Sequence, residues 1–122
     1  MNFKFNKKER LHLNREFKII FTRGKKYESE FIKIYVYHLE QRDDFIFLKS
    51  PVRFGLVVSR KLGKAVKRNK LKRQLREIFR LNKHRIFKNT AIIVFPKKEA
   101  INLKYKQLEE NILYLWKKAK IL

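Results

Sequence analysis

Between Arg60 and Arg85 stand twelve of the chain's 33 basic residues and a single acidic one, Glu77. Many are arginines, whose planar guanidinium fork fits a phosphate through two parallel hydrogen bonds. Wound at about 100° per residue, the stretch sorts itself by chemistry. Leu71, Leu75, Ile78, Phe79 and Ile86 fall on one side, while Asn69, Arg73, Arg76 and Arg80 form a ridge on the other. Lys61, Arg68 and Lys72 lie along the border. Arg68 is near the helix start, where the apolar face has little to cover, so it is expected to point into a groove beside the sheet. Like charges this close repel, and Glu77, within reach of Arg73 and Arg80, relieves only a little of it. A merely solvated basic face would carry interleaved acids. Here they are almost missing, which points to polyphosphate binding.

Other chemistries find little support. His12, His38 and His84 are far apart, without metal-ligand spacing. Asp43-Asp44 and Glu109-Glu110 read as solvated turn and helix carboxylates, with no partner for general acid–base work. Gly63-Lys64 lacks the upstream Gly and the following Ser/Thr of a phosphate-binding loop. If the chain takes part in catalysis, its own side chains are not expected to perform it.

These residues must be positioned by something folded. The chain has 122 residues, and its 33 Lys+Arg against 11 Asp+Glu leave a formal charge of +22. Yet 44% of it is hydrophobic and 14% aromatic, which a disordered basic tail would lack. The expectation is a single domain over residues 1–122, with far more charge than the roughly 2–8 that solubility requires. With no Cys, disulfides and thiol catalysis are excluded. The longest apolar runs, Ala91–Phe95 and Ile112–Trp116, are five residues each, against the ~18–20 needed to span a bilayer. No apolar segment follows the basic start, so a cytoplasmic protein is expected.

A short helix is predicted from about Asn14 to Thr22, with Gly24 closing it and Leu13, Phe17, Ile20 and Phe21 on one face. Phe31–Leu39 alternates as a strand. Ile32, Ile34, Val36 and His38 face one side, and Phe31, Lys33, Tyr35, Tyr37 and Leu39 the other. A turn at Gln41–Asp44 leads to strands at Phe45–Leu48 and Arg53–Ser59. A long helix from Lys64 to about Lys88 precedes a buried strand, Ala91–Phe95. The last helix, Tyr105–Ala119, places Tyr105, Leu108, Ile112, Leu115 and Ala119 in one stripe. The order helix, three strands, helix, strand, helix (αβββαβα) defines an α+β fold with helices packed on a small sheet.

A membrane-surface helix needs apolar residues free to enter lipid, and this one spends them on a sheet. No duplex-reading motif is present. Rings at Phe17, Phe21, Tyr35 and Tyr37, interleaved with Lys, suit stacking on unpaired bases. Phe17 and Phe21 equally suit a plain core, and Tyr35 and Tyr37 a cover beneath another helix. A structural RNA binder of ribosomal type shares this composition, and an architectural DNA binder ranks below both.

The stretch RFGLVVSRKLGKAVKRNKLKRQLREIFR, Arg53–Arg80, resembles the signature of the bacterial ribonuclease P protein subunit. Gly63, Lys64, Ala65, Val66, Arg68, Asn69, Lys72, Arg73, Arg76 and Glu77 match its core. REFKIIFTRG at Arg15–Gly24 is similar to the family's first helix with its Phe pair, and AIIVFP followed by LKYKQLEENI to its last strand and helix. Two positions depart. Lys70 takes the third place of an R-N-R motif, keeping charge but not the planar fork. Phe95 stands where the family commonly has Arg, with Lys97 and Lys98 close behind.

The resemblance implies a four-stranded mixed sheet with a left-handed crossover between parallel strands. It also implies the function: a catalytic RNA, using Mg²⁺, removes the 5′ leader of precursor tRNA, and the protein assists without a cofactor of its own. The partners implied are that RNA and precursor tRNA, with one protein per RNA and neither a membrane nor a small-molecule substrate. Carried over residue by residue, Lys61, Lys64, Arg68, Asn69, Lys70, Lys72, Arg73, Arg76 and Arg80 would meet the catalytic RNA. Phe17, Phe21, Lys33 and Tyr35 would line a cleft for the single-stranded leader, with Arg68 and Asn69 at its edge.

Overall fold

Alternating apolar residues in the strands and amphipathic helices on both sheet faces organise the chain. The structure, a computed structural model, describes residues 7–11, 14–38, 52–87 and 89–122. Its helices are α1 (Asn14–Arg23), α2 (Ala65–Asn82) and α3 (Tyr105–Lys118). Its strands are β1 (Lys25–Glu28), β2 (Ile32–His38), β3 (Val52–Leu56) and β4 (Thr90–Pro96). Along the sheet the order is β1-β2-β4-β3. β2 runs antiparallel to both neighbours, and β3 runs parallel to β4, so the chain crosses from one to the other through α2. The sheet is thus mixed and four-stranded, in the order αβββαβα.

Three details differ from the sequence reading, one being that the strand expected over Arg53–Ser59 runs from Val52 to Leu56. The first strand is Lys25–Glu28, which sequence periodicity missed; the strand expected at Phe45–Leu48, the turn before it and Leu13 lie outside the described residues. The long helix ends at Asn82, not near Lys88. A 3₁₀ turn over Lys83–Arg85 follows it, and Ile86 is extended. Asn82 is buried, and its amide Nδ2 donates to the Ile78 carbonyl at 2.8 Å.

The strands alternate cleanly between the two faces. On one face Ile32, Ile34, Val36, Val52, Phe54, Ile92 and Val94 meet α2 and α3, and all are buried. Leu71, Leu75, Ile78 and Phe79 of α2 join them, as the winding of the helix requires. Phe79 stacks on Phe54 with ring centroids 4.4 Å apart. On the other face Ala91, Ile93 and Tyr37 are buried beneath α1 through Ile20. The C-terminal end of α1 reaches β2 at Gly24, whose N–H donates to the Ile20 carbonyl at 2.8 Å. A Cβ there would lie 2.5 Å from that oxygen and 2.9 Å from the Val36 carbonyl oxygen, so only glycine permits the approach.

The N-terminal segment covers the free edge of β3. Leu11 N–H donates to the Phe54 carbonyl at 2.9 Å. Glu9 and Lys83, both largely buried, pair at 2.8 Å and tie the segment to the end of α2.

Candidate nucleic-acid interface

The register of β2 and β4 gathers one cluster of rings. Lys33 lies directly across the ladder from Phe95, and Tyr35 from Ile93. All four side chains face α1. From α1, Phe17 and Phe21 stand one turn apart on the side that meets the sheet. Phe21 lies 5.1 Å from Tyr35, 5.4 Å from Phe95 and 6.2 Å from Phe17, centroid to centroid. Tyr35 and Phe95 are 5.6 Å apart. Phe21 is 40% exposed, while Phe17, Tyr35 and Phe95 are half-buried. Tyr37 is core, at 5% exposure. The two readings open at the sequence level thus divide by residue: Tyr37 packs the interior, and Phe21 faces out. Phe17 does both. Its ring rests on Gly55 of β3, where a Cβ would come within 3.0 Å of it.

The second surface is α2. Lys61, Lys64, Asn69, Lys70, Arg73 and Arg76 are exposed, and Arg68, Lys72 and Arg80 half-buried. Among the described residues, none of Lys67, Arg68, Lys70, Lys72, Arg73 and Arg76 makes an ion pair. Arg80 does. Its Nε donates to Glu77 at 3.1 Å, and that bond holds the Glu77 carboxyl below its usual range and raises the guanidinium. Glu77 therefore spends itself on Arg80, and Arg73 points free. Arg68 continues the buried stripe of Leu71 and Leu75. Its Nε is shut from solvent and finds no hydrogen-bond partner among the described residues.

Charge also wraps around the helix instead of keeping to one ridge. Lys67 and Lys70 line a recess of about 390 Å³ with Gln74, Lys104 and Tyr105, between α2 and the start of α3. Tyr105 is pushed up chiefly by burial, so it stays a neutral phenol. On the opposite flank Arg76 shares a recess of about 130 Å³ with Arg10, Leu11 and Gly55 at the β3 edge.

The structure brings Phe17, Phe21, Lys33 and Tyr35 together. Arg68 and Asn69 are on the helix that covers the opposite face. Three features were missed from sequence. One is Phe95, whose alternation with Ala91 and Ile93 marks it for the α1 face. Another is a sealed ion pair: Arg53 Nη2 meets Glu16 at 2.9 Å, both at 1% exposure or less, and donates to the Arg10 carbonyl at 2.7 Å. An arginine amid VRFGLVV signals such a partner, without saying which. The third is the engagement of Lys97, which donates to the Ser29 carbonyl at 2.7 Å and pairs at 2.6 Å with Glu28, whose carboxyl that pairing holds below its usual range. Lys98 remains exposed.

A small α+β domain with a cationic helix on one sheet face and half-open rings on the other defines a class: a basic nucleic-acid-binding protein. Comparison with known proteins narrows it. The family model described as Ribonuclease P matches residues 5–120. The ribonuclease P protein component of Finegoldia magna is 39% identical over 114 residues, 93% of each chain. That of Thermotoga maritima is 42% identical over 102 residues, 81% of this chain and 78% of its own. Among solved structures, the Staphylococcus aureus RNase P protein superposes with a TM-score of 0.79 at 29% identity, over 93% of this chain and 96% of that one. The Thermotoga maritima protein gives 0.75 at 38% identity, over 90% and 96%. The chain belongs to the ribonuclease P protein family, the RNA-binding protein components of a tRNA-processing ribonucleoprotein.

Proposed function

We propose that this chain is the protein subunit of a ribonuclease P holoenzyme, holding a catalytic RNA on one side and the single-stranded 5′ leader of precursor tRNA on the other. One observation carries the reading: the unpaired cations of α2 and the ring cluster under α1 occupy opposite faces of the same sheet. Such a body can touch two RNAs at once. Both are polyanions and repel. A chain of charge +22 between them screens that repulsion.

The α2 side, with Lys61, Lys64, Arg68, Asn69, Lys70, Lys72, Arg73 and Arg76, meets the catalytic RNA. Arg80 is the weakest member, since Glu77 already neutralises it. Phe17, Phe21, Tyr35 and Lys33 take the leader by stacking and by one charge, and Arg68 and Asn69, on the opposite face, stay with the catalytic RNA. Mature tRNA has no leader, so the added affinity falls on substrate and not on product. In this reading Mg²⁺ takes its oxygen ligands from the catalytic RNA, and the protein's work is positioning.

The test is reconstitution. With catalytic RNA, precursor tRNA and low Mg²⁺, adding the chain produces leader release, and the holoenzyme binds precursor more tightly than mature tRNA. Tight RNA binding with no change in cleavage would assign the chain to structural RNA binding instead.

A further inference from the structure

Phe21, Tyr35 and Phe95 form a triangle of ring centroids with sides of 5.1, 5.4 and 5.6 Å. Their planes are inclined by 79°, 42° and 70°. Rings so tilted are not one flat platform; each offers a face in its own direction. Lys33 reaches two of these rings and lies closer to Phe95. Its Nζ stands 4.9 Å from the Phe95 centroid, against 5.8 Å from that of Tyr35. An ammonium over a ring at the protein surface is held weakly, whereas a phosphate oxygen offers it a charge-assisted hydrogen bond. A base face, in turn, covers a ring better than an ammonium does. The pair is therefore set for a swap.

We infer that Phe95 and Lys33 form an exchange site for one nucleotide of unpaired RNA. The base displaces the ammonium and stacks on Phe95, and the freed ammonium pairs with that nucleotide's phosphate. Without RNA the lysine shields the ring from water. With RNA both groups gain a partner together, so the site selects a base and a phosphate jointly. The inference rests on the leader reading above, and adds to it a stacking residue and a mechanism of entry.

The holoenzyme is reconstituted and given precursor tRNAs carrying 2-aminopurine at one leader position at a time. One position is quenched in the wild type, and Phe95→Leu, which keeps apolar bulk, abolishes that quenching. Phe95→Leu weakens precursor binding roughly tenfold without altering its salt slope. Phe95→Trp restores both. Lys33→Gln keeps the quenching but lowers the salt slope by about one unit. An abasic leader at that position makes wild type and Phe95→Leu equal. Should Phe95→Leu bind precursor as the wild type does, while the wild type still prefers precursor to mature tRNA, the exchange site is refuted and the leader groove stands. A wild type that binds precursor and mature tRNA equally refutes the leader reading itself. Thermal unfolding of each variant separates lost contact from lost fold; a Phe95→Leu loss explained by unfolding, with Lys33→Gln unchanged in slope, also overturns the inference.

Discussion

On the α2–α3 side of the sheet, Ile34, Ile78, Phe79, Leu108 and Trp116 have no exposure worth counting, while on the α1 side Phe21 keeps 40% of its surface open. Two long helices saturate the first face. One ten-residue helix half-covers the second. The first is an aliphatic and aromatic core that turns most of α2's cations outward. The second is pinned at one end by a sealed Arg53–Glu16 pair and left unfinished at the other, where rings meet solvent. A fully packed face can only support a binding surface behind it. A partly packed one can itself be the surface.

Stability separates the faces most strongly. Phe79→Ala removes a ring stacked in the closed core and costs about 3–5 kcal/mol. Arg53→Met takes the guanidinium from the buried Glu16 carboxylate and costs about the same. The distinction lies in rescue. Adding Glu16→Leu to Arg53→Met recovers most of the loss, because a matched apolar pair replaces a matched charged one. No second change of that kind restores Phe79→Ala. Urea unfolding of the three variants reads this directly.

Binding separates them next. Phe17→Ala lowers holoenzyme affinity for precursor tRNA by about tenfold and leaves mature tRNA nearly untouched, in a direct binding titration. Equal losses for both would make Phe17 core alone. Arg73→Ala acts on the other face. It weakens binding of the catalytic RNA and flattens the dependence on log salt by about one unit, measured across a salt series. Glu77→Gln does the reverse: it removes the carboxylate that neutralises Arg80 and steepens that slope by about one unit.

The smallest expected effect lies at the sheet's other edge. Glu28 is held below its usual 4.5 by the Lys97 hydrogen bond. A carboxyl whose folded value is depressed contributes stability that is present above the unfolded value and is lost as pH falls through the folded one. Acid unfolding below 4.5 therefore contains a small Glu28 component, which Glu28→Gln removes. The pair is exposed, so solvent screening keeps the effect slight.

What was legible in the sequence was whatever period and charge encode. The stripe of α3, the alternation of β2, and the two sides of α2 follow from spacing alone. β1 carries no such signal. Its residues Lys25, Lys26, Tyr27 and Glu28 are polar, and only Tyr27 touches the core, because an edge strand owes its existence to the strand it pairs with. The Arg53–Glu16 pair spans 37 positions and becomes visible only once β3 and α1 are stacked. The sequence also presents Lys97 as one more cation. Only the tertiary structure shows it committed to the turn between β1 and β2.

Gly55 carries a consequence for how the molecule can be tuned. A methyl there would meet Phe17 at 3.0 Å and the Leu11 Cβ at 3.1 Å. The floor of the groove is thus set by an atom that is absent. Gly55→Ala would lift the Phe17 ring by a few tenths of an ångström toward solvent, and a larger residue by more. One buried position in an edge strand thus sets how far the Phe17 ring stands out from the sheet.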